Sequence, residues 1–180
     1  MPAATHSWVV MGVSGSGKTE IGRRLAQRLQ LDFIEGDAFH PPQNIAKMSA
    51  GSPLTDEDRR EWLLLLQERL RQAALAGKAV VLSCSALKRR YRDLLRAADP
   101  HLLFVYLHGE RALLEQRMHG RRGHFMPAAM LDSQLATLEP PQADEHFIAV
   151  DIRDTPERIV QCIVARAGAE TDGTLRASRA

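Results

Sequence analysis

Gly12-Val13-Ser14-Gly15-Ser16-Gly17-Lys18-Thr19 is the stretch on which the reading of this chain turns. It fits G-x-x-x-x-G-K-[ST], follows the apolar run Trp8-Val9-Val10-Met11 and opens an amphipathic segment. Buried strand, glycine-rich turn and helix start are the context in which this pattern cradles phosphate. The glycines let successive backbone N–H groups curl around an anion with no side chain in the way, and the helix N-terminus adds favourable potential. Lys18 is placed to reach the β- and γ-phosphates, and the Thr19 hydroxyl to help hold Mg²⁺. A plain Gly/Ser turn would leave the Lys-Thr pair and the helical pattern behind it unexplained. The segment predicts binding of a nucleoside triphosphate, with residues 12–19 as its contacts.

Working outward, 180 residues suit one α/β domain with a real core and leave little room for the additional domains of a motor, a helicase or a transporter ATPase. With 44% hydrophobic and 26% charged residues the composition is that of a globular protein. A net charge of +2 is too mild to argue for nucleic acid. Basic residues cluster instead at Lys88-Arg89-Arg90 and Arg121-Arg122, as a site for anionic small molecules needs. The apolar run at residues 8–13 is too short for a membrane span, and residues 1–7 lack a basic leader region. Cys84 and Cys162 sit in apolar strand-like and helix-like contexts, which predicts two buried free thiols in a reducing compartment. The seven histidines show no metal-ligand spacing with them. A cytoplasmic location is the expectation.

Periodicity gives alternating strands and helices. Strands are expected at 8–13, 32–35, 79–84, 102–107 and 148–151. Helices are expected at 17–29, 41–48, about 55–76 with Thr55 as N-cap and Gly77 as stop, 85–98, 110–119, near 127–138, and 156–167. That order predicts a parallel sheet covered on both faces. From Gly168 on, small and polar residues without periodicity predict a frayed tail.

Beyond the phosphate loop, three blocks resemble the gluconokinase family. They are Gly36-Asp37-Ala38-Phe39-His40-Pro41-Pro42-Gln43-Asn44-Ile45-Ala46-Lys47-Met48, Gly51-Ser52-Pro53-Leu54-Thr55-Asp56-Glu57-Asp58-Arg59, and Cys84-Ser85-Ala86-Leu87-Lys88-Arg89-Arg90-Tyr91-Arg92-Asp93-Leu94-Leu95-Arg96. Gly123-His124-Phe125, Ser133-Gln134 and Thr137-Leu138-Glu139 fit as well, so the likeness covers roughly residues 8 to 167. Glu61 departs from it, standing where the family pattern has proline before Trp62. The resemblance implies ATP-dependent phosphorylation of D-gluconate to 6-phospho-D-gluconate, with Mg²⁺, in a cytoplasmic homodimer. It implies a three-layer α/β/α, nucleoside-monophosphate-kinase-like fold with a mainly five-stranded parallel sheet. Residues 1–168 would form the one kinase domain, with acceptor-binding helices at about 41–76 and a lid at about 117–127, and residues 169–180 a flexible tail.

Under that resemblance Asp37, after a short strand and a glycine, is placed to take the acceptor hydroxyl's proton or to bind Mg²⁺ through water. His40 joins it on the acceptor side. A guanidinium is the best partner for the gluconate carboxylate, which makes Arg59 and Arg92 candidates, Arg59 ahead. Lys88, at a strand-to-helix turn, is expected to contact acceptor or γ-phosphate. Arg117, Arg121 and Arg122 are expected on the lid, where closure brings guanidinium groups onto the transferring phosphoryl and shuts out water. A solvated turn aspartate, a surface arginine and a solvated lysine are the plain alternatives for these positions. Two other kinds of protein share the first motif: a shikimate or nucleoside monophosphate kinase, and a nucleotide-dependent switch with no acceptor chemistry.

Overall fold

The computed structural model describes residues 6–119 and 128–177, with backbone only for 128–129 and 170–177. The chain runs β1 (Trp8–Met11), α1 (Lys18–Leu29), β2 (Asp32–Glu35), a 3-10 turn (Gly36–Phe39), α2 (Pro42–Ser49), α3 (Asp56–Leu75), β3 (Val80–Ser83), α4 (Arg89–Arg96), β4 (Leu103–His108), α5 (Arg111–His119), α6 (Ala128–Thr137), β5 (Phe147–Asp151) and α7 (Pro156–Ala177). All strand pairs are parallel, in the order β2-β3-β1-β4-β5.

Every residue of β1 and β3 is buried, the mark of strands covered on both faces. Alternate side chains go to opposite layers. Trp8 and Val10 join Ile21 and Leu25 of α1, Leu114 of α5, Leu131 of α6 and Ile159 and Ile163 of α7. Val9 and Met11 join Trp62, Leu66 and Leu70 of α3 and Tyr91 and Leu95 of α4. The result is three layers, helices on both faces of the five-stranded sheet.

Register decides where the loops emerge. Val10, Ser83 and Glu35 stand in one row across β1, β3 and β2. The phosphate loop, the segment after β3 and the Gly36 turn therefore leave the sheet at the same carboxyl edge. Neighbouring strands are about 4.8 Å apart, so two spacings, roughly 10 Å, separate the loops after β1 and β2.

Some local expectations shift. The strand expected at 8–13 ends at Met11, because Gly12 already turns with a φ of 147°. The helix expected from Ser85 begins only at Arg89, since Ala86 takes a left-handed φ of 43°. The backbone continues helical through Ala177, where a frayed tail was expected from Gly168; no proline interrupts it. Cys162 is exposed, lying off the stripe of Ile159, Val160, Ile163 and Ala167 that α7 buries, so only Cys84 matches the expected buried thiol. Glu61 is exposed in α3 behind a reciprocal cap at Thr55 and Asp58 and leaves the helix intact.

The segment between α6 and β5 is held by Glu145. Its carboxylate, with Arg92, has 0% side-chain exposure. Burial works most strongly against its charge, but bonds from Arg92, Arg96 and the Gln142 amide outweigh burial and hold its pKa down to about 2. The ordinary value is 4.5, so this ionised pair stabilises the fold above about pH 4.5 and its contribution is lost as pH falls towards about 2. Replacing Arg92 by Ala strands the buried carboxylate and should cost about 3–5 kcal/mol. Chemical denaturation of wild type and Arg92→Ala at neutral pH and at pH 3 checks both: the gap between them should narrow in acid.

Candidate active site

The phosphate loop is shaped by close backbone approaches. A Cβ on Gly12 would stand 2.6 Å from the Leu107 carbonyl oxygen, and one on Gly15 would stand 2.7 Å from that of Leu114. No other residue fits either position. Gly17, the N-cap of α1, has no side chain to cap the helix, and the first α-helical bond runs from Ile21 N–H to Gly17 O at 2.9 Å. The amides of the first turn are thus directed at the loop, where an anion is stabilised. Lys18 Nζ donates to Val13 O at 3.1 Å, folded back over the loop, and Thr19 follows it in the first turn, partly exposed. Arg117, expected on the lid, sits in α5 against this loop. Its Nη1 lies 3.9 Å from where a Gly17 Cβ would be, and its Nη2 donates to Ile152 O at 2.5 Å. Arg121 and Arg122 lie outside the described residues.

Across the carboxyl edge a second cluster forms at the Gly36 turn. A Cβ on Gly36 would collide with the Ser83 carbonyl oxygen. Gly36 N–H donates to Ser83 Oγ at 3.2 Å, whose own hydroxyl donates to Glu35, and Trp62 Nε1–H donates to Gly36 O at 2.8 Å. Asp37 follows with 67% side-chain exposure, presented rather than buried. His40 stacks on Trp62 with ring centroids 4.1 Å apart, and its Nε2 is 3.9 Å from Asp37 Oδ1. Burial lowers the pKa of His40, Asp37 opposing and Arg59 reinforcing, so the imidazole is neutral at neutral pH.

Arg59 is buried at 8% exposure in α3. Its Nη1 donates to the Tyr91 hydroxyl at 3.4 Å and its guanidinium carbon lies 5.9 Å from the Tyr91 ring centre. Tyr91 donates in turn to Asp56, whose carboxylate also accepts Lys88 Nζ at 3.0 Å and pairs with Arg90. Arg59, Tyr91, Asp56 and Lys88 are one connected network tying α3 to α4.

A family model described as an AAA domain matches residues 8–141. Gluconokinase from Gluconobacter oxydans is 49% identical over 162 residues, covering 90% of this chain and 91% of that protein. The thermosensitive gluconokinase of Escherichia coli is 45% identical, covering 90% and 89%. The crystal structure of a gluconokinase from Sinorhizobium meliloti superposes with a TM-score of 0.86 at 48% identity, over 96% of this chain and 97% of that one. The chain belongs to the gluconokinase family.

In this gluconokinase-family chain Cys84, just past β3, is fully buried and feels charges from both clusters. Burial pushes that thiol up to about 12, Asp37 adding to the rise and Lys18 and Arg59 opposing it. The thiol is therefore inert at neutral pH, and the fields of Lys18, Asp37 and Arg59 converge on it. Among the described residues no three His, Cys, Asp or Glu side chains group into a metal site. The partly exposed Thr19 hydroxyl and the exposed Asp37 carboxylate are oxygen donors of the kind Mg²⁺ takes, an ion that keeps waters and needs only one or two protein ligands beside phosphate oxygens.

The carboxylate-binding role expected of Arg92 is corrected. Its Nε and Nη2 grip Glu145 at 2.6 and 2.8 Å, and its Nη1 bonds the Ala86 and Leu87 carbonyls at 3.1 and 3.3 Å, with no surface left for a ligand. Tyr91 and Asp56 were not singled out from sequence, since the pair forms across 35 positions. Tyr91 stood inside the quoted Cys84–Arg96 block, which was the available signal.

Asp37→Asn keeps the shape of the turn, because the backbone of Gly36 and not the Asp37 side chain holds it. Turnover should collapse while melting temperature and nucleotide affinity change little. Retained kcat with lowered Tm would make Asp37 a turn residue only.

Proposed function

We propose that the protein transfers the γ-phosphoryl group of ATP to D-gluconate, forming 6-phospho-D-gluconate and ADP. The observation that carries this is the facing of a phosphate loop by a second polar cluster on the same sheet edge, in a chain whose relatives are named gluconokinase. A nucleotide switch has no use for that second cluster.

Gluconate carries a hydroxyl at one end and a carboxylate at the other. In this reading Arg59 takes the carboxylate with its planar donor pair, steadied by the Tyr91 hydroxyl, and Lys88 adds a second positive charge. Asp37 then faces the far hydroxyl, orients it and takes its proton as the hydroxyl oxygen attacks the γ-phosphorus. Lys18 and the amides of the phosphate loop stabilise the charge that passes to the bridging oxygen as the bond to ADP breaks. Thr19 and Asp37 would hold Mg²⁺, which when bound neutralises phosphate charge. Neutral His40, wedged on Trp62, fixes the Asp37 side of the cleft without adding charge to it. Arg117 at the loop supports a role on the phosphates, with Arg121 and Arg122 following it in sequence in the proposed lid.

We infer the same compartment and assembly as the resemblance implies, a cytoplasmic homodimer. Exposed Leu64 and Leu75, on the side of α3 opposite its buried Arg59-Leu63-Leu66-Leu70 face, support a self-contact there.

Arg59 offers the test. Charge-assisted hydrogen bonds are worth about 1.5–3 kcal/mol, so Arg59→Ala should raise KM for gluconate by one to two decades and leave KM for ATP nearly unchanged. Arg59→Lys should recover part of the loss and also controls for folding, since the position is buried. Glucose, lacking the carboxylate, should be a poor substrate that loses little more on mutation. Equal losses for gluconate and glucose would move the carboxylate to Lys88.

A further inference from the structure

Ser133-Gln134 and Thr137-Leu138-Glu139 have no part in the roles above, yet they make polar links in the last turn of α6 and just beyond it. In that turn Ser14 N–H donates to Gln134 Oε1 at 2.7 Å. Two residues past the helix, Glu139 N–H donates to Leu87 O at 2.8 Å, and the Glu139 carboxylate accepts Arg89 N–H at 2.7 Å. The α4 N-terminus has no cap of its own at Lys88, so Glu139 supplies one from outside.

The first link has a direction. The Val13 carbonyl accepts from Ser16 N–H at 3.2 Å and from Lys18 Nζ at 3.1 Å, and so faces the interior of the phosphate loop. The peptide is trans, so the Ser14 N–H on the same plane points the opposite way, outward, where Gln134 meets it. Gln134 therefore does not compete for the phosphate nest. It holds the back of the peptide whose front accepts Lys18. Turning that plane over would carry the Val13 carbonyl away from Lys18, and in a loop hinged on Gly12, Gly15 and Gly17 the Gln134 bond adds from outside to the orientation that Ser16 N–H favours from inside. Seating of α6 does not need this bond, because Met130 and Leu131 are already buried at 3% and 0% exposure.

We propose that α6 is a positioning strap for phosphoryl transfer: Gln134 fixes the Val13–Ser14 peptide that aims Lys18, and Glu139 fixes the turn that carries Lys88. The strap sets the spacing between nucleotide and acceptor groups, and it rests on the reading of Lys18 and Lys88 given above. Neither residue touches a reacting atom.

Gln134→Met keeps length and removes the acceptor, whereas Gln134→Glu keeps an oxygen for the Ser14 amide. The measurements are hydrogen exchange of the Ser14 amide by NMR and steady-state kinetics at saturating ATP, where the added charge of Glu does not limit binding. Gln134→Met should speed Ser14 exchange and lower kcat, each by about tenfold, the equivalent of one ordinary hydrogen bond, with KM for gluconate and Tm near wild type. Gln134→Glu should restore both. Unchanged Ser14 exchange in Gln134→Met overturns the inference, as does a kcat loss that merely follows Tm or a Gln134→Glu variant no better than Met. Wild-type turnover of gluconate, run alongside, tests the underlying reading by itself; without that turnover the exchange experiment alone decides the role of Gln134.

Discussion

Parallel pairing of β1, β3 and β2 in one register is the constraint on which the site depends. With Val10, Ser83 and Glu35 in a row, each strand releases its loop at the same edge. The Gly36 turn can then lean on the Ser83 carbonyl and accept the Trp62 indole N–H, which fixes the direction of Asp37. A slip by one residue would send every core side chain of a strand to the wrong layer, so the hydrophobic pattern that builds the two cores also enforces the spacing of the loops at this edge.

Electrostatics divides the cationic groups into two kinds. Arg92 and Arg96 sit on Glu145, and that pair is stable because both partners are ionised and fully bonded. Arg59 and Lys88 are held more lightly, through a tyrosine hydroxyl and a half-exposed Asp56 carboxylate. A cation compensated by such partners remains able to meet an incoming carboxylate. One sequence block, Cys84–Arg96, supplies both kinds within five positions, Lys88 for the cleft and Arg92 for the core.

The phosphate loop, the capped α3 and the doubly buried strands were legible because their signals are local: a glycine spacing, a Thr55-to-Asp58 cap, an unbroken apolar run. Asp37, His40 and Arg59 were legible as a group through the family blocks, and they stand near one another. Arg92 was misread because its partner lies 53 positions away, and nothing in the pattern around it separates a buried arginine from a ligand-binding one. The late start of α4 was hidden for a similar reason. Ala86 takes a left-handed backbone, unusual for alanine, while its carbonyl and that of Leu87 accept from Arg92, a tertiary demand that overrides helix propensity. Cys162 was assigned to the core on its apolar, helix-like context, whereas the phase of α7 turns it outward.

In the proposed function this sheet edge joins a nucleotide site to a site for a sugar acid. ADP formation with ATP and Mg²⁺, measured with gluconate, shikimate, nucleoside monophosphates and no acceptor in parallel, tests it most directly. ADP should form rapidly with gluconate alone and only at a slow background rate in the other reactions. Turnover independent of gluconate, or faster with another acceptor, would contradict it.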